Sequence, residues 1–185
     1  MIDKIGYYFE LASRWYVCLM LNVYGWGKLL GGQFYKRGHL PKAIAAKPIG
    51  EVGSFDLAWA FMGYSYTYIF IIGAMQVIGA LLLLWNRTKL IGAAILVPIL
   101  FNIIVFDAIF FEGFYGALIS ACVYFSLLMY VFYYNRLKLK TAIKIIVSQD
   151  RANRQQKLFK KVVITLIAIA LIIGIEYIIK KMFHA

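Results

Sequence analysis

The sequence predicts an all-α, polytopic membrane protein with five spans. Three observations carry that reading. The 185 residues are 63% hydrophobic and only 15% charged, where a soluble domain is roughly half apolar. The apolar residues gather into runs that approach the ~20 residues needed to cross a hydrocarbon core. Between those runs lie clusters of glycine, proline and basic residues, which break helices or face headgroups. No polar stretch is long enough to fold alone, so one membrane domain is expected and no soluble one.

Residues 1–11 form an amphipathic lead-in, with Ile2, Ile5, Tyr8 and Phe9 near helical spacing, suited to the membrane surface. This start lacks the basic region and small-residue cleavage site of a signal peptide, so the first apolar run is expected to remain as a span over 12–30. Trp15 and Tyr16 suit one interface and Trp26 the other. Residues 35–60 make a long connection interrupted by Gly38, Pro41, Pro48, Gly50 and Gly53. Within it, Ser54 is placed to N-cap a short re-entrant or interfacial helix.

The second span is expected over 62–85, entered through an aromatic girdle of Tyr64, Tyr66, Tyr68 and Phe70. The tight connection Asn86-Arg-Thr-Lys makes it an antiparallel neighbour of the third span, 90–110. Pro98 lies inside that third span, where it frees a carbonyl and kinks the helix. Glu112 and Gly113 form a turn into the fourth span, 114–134, whose Gly116, Ser120 and Ala121 offer a small face for close helix contact. Residues 135–161 read as a basic amphipathic cytoplasmic segment, broken near Ser148 to Ala152. Residues 162–185 hold the fifth span and a short tail.

The net charge of +12 is concentrated between spans. That suits anionic lipids better than nucleic acid, for which no stacking motif or zinc spacing exists. With the N-terminus inside, the inner segments hold thirteen basic residues and the outer ones six, Lys28 counted in neither. The positive-inside rule therefore predicts a cytoplasmic N-terminus and an outer C-terminus. Nine of the thirteen are Arg136, Lys138, Lys140, Lys144, Arg151, Arg154, Lys157, Lys160 and Lys161, expected to contact lipid headgroups or a cytoplasmic partner. Cys18 and Cys122 lie singly in apolar runs, which excludes a secreted disulfide framework. His39 and His184 have no second ligand nearby in sequence, so no metal is expected.

The stretch Asn22 to Phe34 carries an amine, two side-chain amides and four glycines at the end of an apolar run. A charge within a span costs about 2.5–3.5 kcal/mol at the centre on insertion scales and marks a candidate site. The candidate is a polar pocket at the outer half of the membrane. It is lined by Lys28, Gln33, Asp107 and one loop carboxylate, Glu51 or Asp56, with Tyr24 and Tyr64 around it. Gln76 lies near mid-depth and Asn102 follows Pro98 by four residues. The plainer readings are that Lys28 snorkels to headgroups and that Gln76 and Asn102 make interhelical hydrogen bonds worth about 0.6 kcal/mol each.

Three stretches carry a resemblance. They are Tyr24-Gly-Trp-Gly-Lys-Leu-Leu-Gly-Gly-Gln-Phe, Trp59-Ala-Phe-Met-Gly-Tyr-Ser, and the glycine- and leucine-rich run from Gly73 through Trp85 to Thr88, with a weaker echo in Phe101-Asn-Ile-Ile-Val-Phe-Asp. Over about Arg14 to Arg136 the chain resembles the DoxX-like family of small bacterial integral membrane proteins, Bacteroidota versions above all. The resemblance implies a bacterial inner (cytoplasmic) membrane location, which makes the outer side of the C-terminus the periplasm, and a transmembrane four-helix bundle over 1–134. The basic segment and fifth transmembrane helix lie outside the family pattern. Gln76 stands where the family often has a carboxylate, which argues against proton handling there.

No nucleophile–base pair, metal cluster or phosphate loop is present in the sequence, so no catalytic residue is assigned. The leading expectation is a non-catalytic accessory or assembly subunit that packs against other membrane subunits. The second is a quinone-binding subunit, by analogy with relatives linked to thiosulfate:quinone oxidoreductase. In that case Tyr24, Lys28, Tyr64 and Gln76 would face the quinone carbonyls, and quinone would be the one cofactor. The third is a small transporter or lipid handler using the outer pocket.

Overall fold

The computed structural model describes residues 2–111, 113, 115–147 and 158–183. Glu112 of the expected turn, the break near Ser148, the basic Arg151, Arg154 and Lys157, and His184 lie outside the described residues. Lys160 and Lys161 are described in their backbone alone. The chain divides into two units, Met1–Leu139 and Lys140–Ala185.

The elements, in order, are α1 (Ile2–Leu29), α2 (Lys42–Ala45), a 3₁₀ turn (Ile49–Glu51), α3 (Ser54–Gly63), α4 (Tyr66–Leu82), α5 (Lys89–Phe110), α6 (Tyr115–Tyr134), α7 (Arg136–Val147) and α8 (Leu158–Phe183). Among the described residues there are helices and no strand. In the first unit α1 packs on α4, α4 on α5, α5 on α6, and α6 back on α1. Val17, Cys18 and Leu21 from α1 meet Ala80 and Leu83, then Ala93, Leu96 and Leu100 of α5, and Tyr124 and Leu128 of α6. Gly25 and Gly73 let α1 and α4 approach closely. A Cβ at Gly25 would sit 2.6 Å from the Val77 Cγ2, and one at Gly73 would sit 3.1 Å from the Gly25 carbonyl.

Two described helices, α5 and α6, are long and apolar enough to cross a membrane. A third crossing exists if α3 and α4 are taken together as one bent span. α1 has the length, about 42 Å at 1.5 Å per residue, but Glu10, Arg14, Asn22 and Lys28 dilute its apolarity. In α8 the apolar run among described residues, Val162–Glu176, is short. The chain is therefore an all-helical protein with two or three helices suited to a membrane.

Several local expectations are corrected. The lead-in is not separate, because α1 runs unbroken from Ile2. The helix expected over 62–85 is bent by 89° between Gly63 and Tyr66. Ser54 is not a cap: it is the first residue of α3, and its hydroxyl donates to the Phe110 carbonyl at 3.0 Å. The cap is Ser65, whose oxygen accepts from the Tyr68 backbone N–H and starts α4 in its new direction. Gly116 is exposed and faces open space, so it supports no close helix contact.

At one end of the first unit lies a buried ionic cluster that the sequence did not announce. Glu10, Arg14, Lys89 and Asn135 are all within 7% of full burial. The Glu10 carboxylate accepts from Arg14 Nε at 3.1 Å, Lys89 Nζ at 2.7 Å and Asn135 Nδ2 at 3.1 Å. Arg14 also donates to the Leu83 and Leu84 carbonyls at 3.0 and 3.5 Å, at the negative end of α4. Lys89 opens α5, where the helix dipole opposes a cation, and the Glu10 carboxylate offsets that. Arg14 and Lys89, two of the thirteen residues in the positive-inside count, are thus turned to the interior and not to headgroups.

Removing one partner of a buried ion pair typically costs about 3–5 kcal/mol. Glu10→Leu is therefore expected to lower the unfolding midpoint of the detergent-solubilised chain by an amount of that order, and Glu10→Gln by less. An unchanged midpoint for Glu10→Leu in a denaturant titration would contradict the cluster's structural weight.

Candidate functional site

The opposite end of α1 is built differently. Lys28, in its last turn, is only 6% exposed, and Asp107, near the end of α5, 7%. Both line a cavity of about 690 Å³ between α1, α4, α5 and α6, closed on one side by α3 and the 33–34 segment. They form no salt bridge with each other, unlike the two cations on Glu10. Lys28 is buried, so it does not reach outward as a snorkelling lysine does.

The cavity's walls are aromatic. Phe34, Trp59, Tyr68, Phe106, Phe111 and Tyr124 line it. Three buried side-chain atoms have no hydrogen-bond partner among the described residues: Gln33 Oε1, Trp59 Nε1 and Gln76 Oε1. All three residues line this cavity. A buried polar group left unmade costs about 1–3 kcal/mol, and native proteins keep few of them. Swapping the O and N of either amide would change which atom is orphaned, but Trp59 N–H is a donor in any assignment.

Local sequence explains how Trp59 arrives there. The bend after Gly63 turns α3 away from the line of α4. The Tyr35 backbone lies directly against Gly63, in the space that any Cβ would occupy. The Tyr35 hydroxyl donates to Asp56 Oδ1 at 3.0 Å. Burial pushes the Tyr35 pKa up, and the Asp56 carboxylate adds to the shift, so the phenol stays a donor at neutral pH. Trp59 stacks on Phe55 with centroids 5.0 Å apart and meets Phe34 edge-on at 5.4 Å. The Tyr66 hydroxyl donates to the Leu29 carbonyl at 3.0 Å, tying the start of α4 to the end of α1.

A smaller pocket of about 180 Å³ adjoins the cavity and shares Lys28, Gln33, Phe34 and Ile69 with it. Lys36, Arg37, Tyr64 and Tyr66 are among its other walls. The Arg37 guanidinium lies 4.9 Å above the Tyr64 ring.

Of the candidates, Tyr24, Lys28, Gln33, Gln76, Asn102 and Asp107 come together on the large cavity. Tyr64 is on the small pocket. Glu51 and Asp56 are corrections. Glu51 is exposed on its 3₁₀ turn and lines neither space. Asp56 is engaged by Tyr35, and neither carboxylate pairs with Lys28. Gln76 lacks the interhelical partner its amide oxygen was expected to find. Pro98 lines the cavity with Asn102, and α5 runs through it without a break. Sequence reasoning missed Trp59, Lys36 and Arg37. Phe55 and Trp59 at a spacing of four, flanked by Phe34 and Tyr35 across the loop, were the available signal.

Of the nine basic residues assigned to lipid, Arg136, Lys138, Lys140 and Lys144 lie on the exposed helix α7. Arg136 is held back toward α6, its guanidinium 4.7 Å over the Tyr133 ring.

No family model matches the chain, and no solved structure matches it. The chain is similar to YwoB of Bacillus subtilis (strain 168), described as an uncharacterized protein, with 36% identity over 100 residues. The match covers 54% of this chain and 61% of that protein.

If the orphaned amide of Gln76 is retained for a ligand, removing it should help the empty protein. Gln76→Leu is expected to raise unfolding stability by about 1 kcal/mol or more in ligand-free detergent preparations, measured as a shift in melting midpoint. A loss of stability would mean that the amide is structurally satisfied.

Proposed function

We propose that this chain is a bacterial inner-membrane protein that binds an amphiphilic small molecule in the cavity between α1, α4, α5 and α6. One observation carries the proposal. Three orphaned buried polar side chains, from three separate segments, line a single aromatic-walled cavity. Its 690 Å³ falls within the range of about 300–1,000 Å³ of small-molecule sites. A ligand with a polar head and an apolar body would fill the space, and a small turn of these side chains would bring their polar atoms to its head. In this reading the bound molecule is presented to, or accepted from, other membrane subunits.

The architecture that fits this role is a DoxX-like four-helix membrane bundle, with α8 as an added transmembrane helix and the N-terminus in the cytoplasm. The cyclic packing of α1, α4, α5 and α6 supports it. The amphipathic, exposed α7 would then lie on anionic headgroups.

A quinone is the more specific reading, and Trp59 favours it. Quinone carbonyl oxygens need donors. The Trp59 N–H has no hydrogen-bond partner among the described residues, and Lys28, which makes no salt bridge within 4.0 Å among them, is a second donor on this cavity.

Decylubiquinone is expected to raise the melting temperature of the purified chain and to do so far less for the Trp59→Phe/Gln76→Leu double variant. Mass spectrometry of solvent extracts from mildly solubilised protein should show a near-stoichiometric amphiphile that the variant loses. A wild-type preparation that carries no amphiphile and shows no shift with any tested one would sink the proposal.

A further inference from the structure

We infer that the small pocket beside the cavity seats an anionic head of the phosphate class, with the ligand's apolar body in the large cavity. This rests on the large cavity being a site for an amphiphile, and it names an anionic head for that amphiphile in place of a quinone's neutral carbonyls.

Charge comes first. Lys28, Lys36 and Arg37 all line the 180 Å³ pocket, and no carboxylate lines it. Asp107 belongs to the adjoining cavity and makes no ion pair with Lys28. Asp56 is taken up by Tyr35. Three cations against one nearby carboxylate leave an excess that a doubly charged anion would neutralise. Lys28 is 6% exposed and feels the charge of Asp107 across the cavity, which leaves Lys36 and Arg37 as the excess cations on the pocket.

The pocket is also shaped for the task. Gly31 adopts φ +70, and a Cβ there would come within 2.9 Å of Lys36 Cε and 3.1 Å of its Nζ. The glycine thus supplies the turn and the room in which Lys36 lies across the end of α1. The Arg37 guanidinium lies over the Tyr64 ring, 4.9 Å from its centroid, which places it at the pocket wall. A planar fork suits two-point binding to phosphate oxygens. Lys28, Gln33, Phe34 and Ile69 line both spaces, so a head bound at Lys28 sits next to the aromatic cavity that would take its tail. The small pocket accommodates a head and no long chain.

This head chemistry could come from a lipid-linked phosphate or from free phosphate, and the test separates them. The full chain is placed in phosphatidylcholine nanodiscs at low salt. Equilibrium binding is measured for farnesyl phosphate, farnesol and inorganic phosphate, in wild type and in a Lys36→Gln/Arg37→Gln variant. Both substituted residues are exposed and lie outside the helical core, so the fold is expected to hold.

Farnesyl phosphate should bind wild type at least tenfold tighter than either farnesol or inorganic phosphate. The double variant should lose at least tenfold for farnesyl phosphate and keep its farnesol affinity within twofold. Equal affinity of variant and wild type for farnesyl phosphate overturns the anion seat and leaves the cavity reading standing. Inorganic phosphate binding as tightly as farnesyl phosphate overturns the linked head and tail. Failure of both farnesyl compounds to bind wild type overturns the cavity reading, and the inference with it.

Discussion

One buried carboxylate governs the way this chain packs. Glu10 accepts hydrogen bonds from α1 itself, from the first residue of α5 and from the residue that ends α6. Through Arg14 it reaches the carbonyls that end α4. Every helix of the ring therefore contributes to one polar cluster. Apolar side chains pack against many alternatives, and in a membrane lipid tails compete with them equally. A cation buried with its partner has no such alternative. The cluster thus sets the register of α1 against the α4–α5 turn, while the Gly25–Gly73 approach sets how near the helices lie.

The other end of the ring has no such centre. α3 does not continue the line of α4, because the 89° bend and the Ser65 cap redirect the chain. Tyr35 occupies the space beside Gly63, and the Ser54 and Tyr66 hydroxyls tie α3 and α4 to the ends of α5 and α1. A straight helix over 62–85 would have carried Trp59 away from the ring. The bend instead makes α3 a wall, and the space beneath it is the cavity.

Much of the helical plan was legible in the sequence. Long apolar runs, the short Asn86 to Lys89 connection and the basic stretch after Tyr134 correspond to α4, α5, α6 and α7. Six of nine pocket candidates meet on one cavity; Lys28, Gln76 and Asp107 are buried there as polar residues of apolar helices, whereas Gln33 comes from the segment after α1 and Tyr24 and Asn102 stay exposed. The bend was half visible: Ser54 to Phe61 read as a short helix, but the cap at Ser65 was hidden inside an aromatic run that passes for an interface girdle. Glu10 and Arg14 were read as surface residues, since a charged pair near a chain start has no periodic signal that distinguishes surface from core. Their partners, Lys89 and Asn135, lie 79 and 125 residues away from Glu10, and no local pattern links them. Glu51 was promoted by charge alone, and its exposure on a 3₁₀ turn follows from the Pro48–Gly50–Gly53 setting that keeps that segment off the helices.

The contrast between the two ends carries the functional argument. At the Glu10 end the fold brings in four polar side chains and satisfies them with each other and with helix carbonyls. The same chain leaves Gln33, Gln76 and Trp59 with atoms that have no partner among the described residues, and it sets Lys28 and Asp107 on one cavity, coupled by charge without a direct salt bridge. Packing constraint alone does not account for that. Leucine at Gln76 or phenylalanine at Trp59 would keep the wall and remove the unmade bond. Each polar atom so retained costs about 1–3 kcal/mol, and all three belong to residues that line one space. The stretch from the last turn of α1 onward supplies Lys28 and Gln33 to both spaces, and so joins the basic pocket to the aromatic cavity.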